Sequence, residues 1–212
     1  ICDARYGNKS LLMDQSVNGT FAKNEARLRV NLRDKEEVKL KFWWREYGDE
    51  TNVEDGVFFS DDGGENFVKV IELQGAFEAW TQYVVDVDRL AALNGLKLTE
   101  SFIIKFQQYD NWGMICSNPT GGDGFAFDDV CVYVDTTRNT YSSVPYSTGF
   151  EDGFDQYWAL NSSHTNGRIV VTGAYGPAYN GDYFLMMDIS SSNNYNLNSA
   201  DLRLDLNSLN NL

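Results

Sequence analysis

The 212-residue chain carries 17 basic against 31 acidic side chains, a net charge of -14. That balance argues against nucleic acid, whose binding rests on neutralising phosphates with Lys and Arg. No run of about 18 apolar residues is present to span a membrane as a helix. With 14% aromatic residues, only 3 prolines and abundant Gly, Asn, Ser and Asp, the composition favours short strands joined by polar turns.

Period-2 alternation predicts most elements. Leu28, Val30 and Leu32 share one face, with Arg27, Arg29, Asn31 and Arg33 opposite; next, Val38, Leu40, Phe42 and Trp44 oppose Lys39, Lys41, Trp43 and Arg45. Both read as half-buried antiparallel strands. Residues 56–60 and 67–71 flank a glycine-rich turn and predict a hairpin. In the turn itself, Ser60-Asp-Asp-Gly-Gly-Glu-Asn-Phe67 resembles the Asp-box hairpin of sialidases, with Phe67 in the usual Trp place. Asp62 is read there as a turn-stabilising side chain and not a catalytic one. Residues 82–88 and 101–108 are further strands, and residues 88–96 a short helix capped by Gly95. Along residues 124–134, Phe125 and Phe127 fall out of phase with Val130, Val132 and Val134, which predicts a bulge at Asp128-Asp129. Residues 136–148 are polar and without period, a linker; Gly149-Phe-Glu-Asp-Gly opens new structure, with strands at 168–172, 182–189 and 200–206.

The end of the chain repeats its beginning. Moving by 174 positions places Gly7, Leu11, Met13, Asp14, Ser16, Asn24, Ala26, Leu28, Arg29 and Leu32 on Gly181, Leu185, Met187, Asp188, Ser190, Asn198, Ala200, Leu202, Arg203 and Leu206. That is 10 identities in 32 ungapped pairs, where about two are expected by chance. The sequence thus predicts a piece of a tandem array: residues 1–135 as a module lacking its first strands, 136–148 as linker, and 149–212 as the opening strands of the next copy.

Three cysteines, Cys2, Cys116 and Cys131, allow a Cys2–Cys116 or a Cys116–Cys131 disulfide in an oxidising compartment, and the spacing does not choose between them. The single histidine, His164, sits in a polar run, and residues 1–135 hold none, so no Ser-His-Asp site can be built there. No H-E-x-x-H, G-x-S-x-G or phosphate-cradling glycine loop occurs, and a non-catalytic protein is expected. Trp43 and Arg45 on the polar side of their strand, with Gln107, Tyr109 and Trp112, form a candidate aromatic platform for sugar stacking. The alternative is that Trp43 and Tyr109 pack beneath a loop or a neighbouring module.

The order of these pieces, with "FWW", "GVFFSDDGGENFVKV", "FIIKFQQYDN", "DGFAFDDV" and then Gly149-Phe-Glu-Asp-Gly, resembles the MAM-like jelly-roll modules of large secreted adhesins of Bacteroidetes-type bacteria. The likeness spans nearly the whole chain, in permuted order. It implies an all-β antiparallel jelly-roll sandwich, present as one partial copy plus the start of the next. It also implies a calcium ion where first and last strands meet. The matching ligands are Asp128 or Asp129 with Glu151 or Asp152, although the second pair opens the following copy. Either each pair serves its own module, or the later strands fold back to complete the first. The expected role is an extracellular or cell-surface structural or adhesive repeat whose partners are neighbouring copies in a homo-oligomer or filament, with strand exchange between copies a further route. The second expectation is a carbohydrate-binding module that contacts surface glycans.

Overall fold

The computed structural model describes residues 2, 4–48, 52–74, 79–117, 122–136, 140–164, 166–190 and 195–207. In chain order the elements are β1 (Leu11–Met13), β2 (Ala22–Val30), β3 (Val38–Tyr47), β4 (Gly56–Ser60), β5 (Val68–Ile71), β6 (Thr81–Asp86), α1 (Val87–Leu93), β7 (Phe102–Asp110), β8 (Gly124–Val134), β9 (Ser142–Ser143), β10 (Trp158–Ser162), β11 (Gly167–Thr172), β12 (Phe184–Ile189), β13 (Asn198–Leu202) and β14 (Leu204–Asp205).

Two sheets make a sandwich. One has six strands in the order β1-β8-β3-β6-β11-β12, the other four in the order β2-β7-β4-β5. All pairings within them are antiparallel. The two-residue β9–β14 ladder is parallel. The protein is therefore all-β and sandwich-like, as the alternating sequence predicts.

Alternation places the core. Val38, Leu40, Phe42 and Trp44 on β3 are fully buried and meet Val57, Phe59, Phe102, Ile104 and Phe106 of the facing sheet. Phe42 lies parallel to Tyr83 at 5.2 Å and edge-on to Phe106 at 5.2 Å, geometries that add to simple burial. The helix begins where Asp86 accepts a hydrogen bond from the Arg89 N–H, and Asn94 caps its end.

The expected bulge is present. Lys41 pairs with Cys131 but Trp43 with Asp128, so Phe42 alone faces two residues of β8. Asp129 takes a φ of 49°, which an aspartate tolerates better than most residues. The shift re-aims β8, and Cys131 ends exposed.

A second apolar cluster lies on the other face of the six-stranded sheet. Trp43, Tyr47 and Ala126 pack there with Trp80, Phe154, Ile169 and Val171, beneath Trp158 and Leu160 of β10 and Ala200 of β13. The residues after the linker thus do two things. They add β11 to β6, in the register Val170↔Tyr83, and they cover the face that alternation assigns to solvent. Thr81 and Thr172 share a hydroxyl hydrogen bond of 2.8 Å across that seam. Arg168 of β11 grips Asp188 of β12 with both Nε and Nη2.

Candidate functional site

The four residues matched to a metal by resemblance fall around one seam, where the chain before β1 meets the bulge of β8 and the segment after the linker. Asp128 Oδ2 accepts the N–H groups of Arg5 (2.8 Å) and Tyr6 (3.1 Å), and its Oδ1 accepts that of Asp129 (2.8 Å). The Glu151 carboxylate accepts the N–H groups of Asp182 (3.1 Å) and Tyr183 (3.2 Å), just ahead of β12. This grip needs a glycine at 181: φ is 84°, and a Cβ there would sit 2.2 Å from Glu151 Oε1.

Arg5 joins the two carboxylate-held turns. Its Nη2 donates to the Glu151 carbonyl oxygen at 2.5 Å, and its guanidinium stands 4.3 Å from the Trp43 ring centroid and 5.0 Å from that of Tyr183. Asp129 and Asp152, both exposed, line an open cleft of about 500 Å³ together with Arg5, Lys41, Trp43 and Gln82. The cleft therefore faces two carboxylates with two cationic side chains. A calcium ion takes six to eight oxygens. Here Asp129 and Asp152 are the carboxylates that line the cleft, while Asp128 and Glu151 already hold backbone N–H groups.

The five residues of the candidate sugar platform do not meet. Trp43 is 3% exposed in the second cluster, packed edge-on against Tyr183 at 5.4 Å; Arg45 stacks on Tyr47 at 4.6 Å on the same side of the sheet. Gln107 and Tyr109 lie on β7, on the outer face of the other sheet. Gln107 is buried, its Nε2 donating to the Glu54 carbonyl oxygen (2.6 Å) and its Oε1 accepting from Lys105 Nζ (2.6 Å). Tyr109 instead stacks on Phe21 at 5.5 Å, with Phe21 66% exposed, and Trp112 is exposed in the loop beyond. Phe21 stands outside the alternating strands of the sequence, and its only signal there is its alignment with Tyr195 at the 174-residue shift. Arg5, in a loop without periodicity, had no signal.

Cys2 and Cys116 form a disulfide, which ties the start of the chain to the loop after β7. Burial pushes the pKa of Tyr83 up to about 12 by desolvation. Compared with known proteins, the chain matches no family model, no curated protein and no solved structure.

Proposed function

We propose that this chain is a non-catalytic structural and adhesive repeat module of MAM-like jelly-roll type, carried by a secreted bacterial adhesin or extracellular filament. The observation that carries the reading is the 174-residue repeat together with its position in the fold. The repeated segments supply β1 and β12, the two outermost strands of one sheet. A sheet whose two outermost strands carry similar sequence is suited to joining its own copies. The polar groups of the seam hold backbone turns in place, a positioning task. A Cys2–Cys116 disulfide suits an oxidising, extracellular setting.

Calcium belongs to this proposal through the resemblance, with Asp129 and Asp152 as the carboxylates open to the cleft. The decisive experiment for the repeat reading is the denatured mass of the native polypeptide carrying this sequence. A mass of several 174-residue units is expected, and a mass near 24.0 kDa would overturn the tandem reading.

A second reading is glycan binding. It is favoured by the stack of exposed Phe21 on partly buried Tyr109, with exposed Trp112 close by in sequence, since stacked rings offer a flat apolar face beside polar donors. Retention on a glycan array, lost in Tyr109→Ala, would support it.

A further inference from the structure

The repeat and the sheet topology together fix how one copy meets the next. From β1 each neighbour in the six-stranded sheet is antiparallel, so β12, the sixth strand, runs opposite to β1. The two strands also face opposite ways. Met13 of β1 points into the main core, but on β12 Leu185, which shares a side of the strand with Met187, the equivalent of Met13, packs in the second cluster, and Met186 turns to the main core instead. The next repeated strand agrees: Ala26 packs on the main core and its equivalent Ala200 in the second cluster.

Reversal of both direction and face is a half-turn about the line that crosses the strands in the plane of the sheet. That operation carries the edge at which β1 meets β8 onto the outer edge of β12. Among the described residues no strand pairs with that outer edge, nor with the outer edge of β1.

We propose that the outer edge of β12 is the docking edge for β8 of a second copy of this unit. The register is copied from β1: Leu185 faces Phe127, Met186 faces Ala126, and Met187 faces Phe125 of that copy. The sheet then continues from copy to copy, five strands per unit, or about 24 Å at the usual strand spacing. Successive sandwiches lie on alternate faces, and the second cluster becomes the start of the next core. The same register brings Asp128 of the second copy to the start of β12, beside the turn that Glu151 holds. Strand addition of this kind satisfies an open ladder with main-chain hydrogen bonds, while the inward side chains set the register. The inference rests on the repeat-module reading and adds the surface through which copies join.

The 212-residue chain tests it directly, because β12 (six residues) can replace β1 (three residues) on the β8 of another molecule. Chains carrying Met186→Cys are mixed with chains carrying Ala126→Cys, both with Cys131→Ser, under mild oxidation. A 186–126 disulfide dimer is expected, identified by peptide mass. It should be lost when Met187→Cys, one residue out of register, replaces Met186→Cys. Leu12→Pro, which weakens the competing β1, should raise the yield. In the wild-type chain, amide exchange of residues 184–189 should slow as concentration rises. No 186–126 product together with concentration-independent exchange would overturn the edge assignment, even for a parent polypeptide of many copies. A single-copy parent mass would instead remove the repeat reading.

Discussion

The Arg5 guanidinium stands 4.3 Å from the ring centroid of Trp43, and this contact joins the first residues of the chain to β3. Arg5 reaches Tyr183 and the Glu151 carbonyl oxygen from the same position. Its charge is thus shared between an aromatic pair and a backbone acceptor at the point where three distant parts of the sequence converge.

Removing that side chain should loosen the seam. Arg5→Ala deletes two cation–π contacts and a charge-assisted hydrogen bond, a loss of about 2 kcal/mol. Urea unfolding should show a lower midpoint with an unchanged slope, and Arg5→Lys should recover only part of it, since an ammonium cannot stack as a guanidinium does. An unchanged midpoint in Arg5→Ala would mean that the contact is not formed in solution.

Two of the three aromatic residues of the candidate platform, Trp43 and Tyr109, should behave differently when truncated. Trp43→Ala opens a cavity in the second cluster and should cost about 3–5 kcal/mol. Tyr109→Ala removes a half-exposed ring stacked on Phe21 and should cost about 1 kcal/mol. Thermal melts of the two variants measure the contrast. Equal losses would contradict the burial of Trp43.

Calcium should act through the cleft. If Asp129 and Asp152 bind it, calcium at roughly 100 times Kd stabilises the fold by about 2.7 kcal/mol, so adding the ion raises the melting temperature and chelation lowers it. Cutting by protease near the linker at residues 136–148 should increase on chelation. The Asp129→Asn, Asp152→Asn double variant should abolish both responses. Identical melts and cutting with calcium and with chelator would exclude a structural calcium.

The sandwich was legible because its strands alternate cleanly. Val38 to Trp44 could face the core in only one phase, and the phase slip after Phe127 located the bulge at Asp129. The layer that covers the other face of the six-stranded sheet was not legible. Alternation marks Trp43 and Arg45 as outward, and outward is correct for a two-layer sandwich. Only the pairing of β11 with β6, more than eighty residues apart in sequence, reveals that this face is covered. The seam followed the same logic. Asp128 and Glu151 were recognisable as carboxylates near strand ends, but their partners are backbone N–H groups of Arg5, Tyr6, Asp182 and Tyr183, which no side-chain pattern encodes. The likeness of residues 7–38 to residues 181–212 is read from the sequence alone, whereas the opposite facing of β1 and β12 needed the topology.

The hairpin turn between β4 and β5 should make stability depend on acid pH through one residue. Asp62 accepts hydrogen bonds from the Ser60 hydroxyl (2.7 Å), the Glu65 N–H (3.0 Å), the Asn66 N–H (3.1 Å) and Asn66 Nδ2 (2.8 Å), and these donors hold its carboxyl well below the usual carboxylate range. A group with a depressed folded pKa stabilises the fold above its unfolded value, about 3.9 for aspartate, and loses that contribution as pH falls from there toward the folded value. Asp62→Asn keeps the shape but removes the charge. It should melt below the wild-type chain at neutral pH, and the gap should close as pH falls below the unfolded aspartate value. Because Asp62 lies at the surface, the gap should be modest and should shrink in high salt. Parallel melting curves with a constant gap down to strongly acid pH would show that the hydrogen-bonded turn contributes no charge-dependent stability.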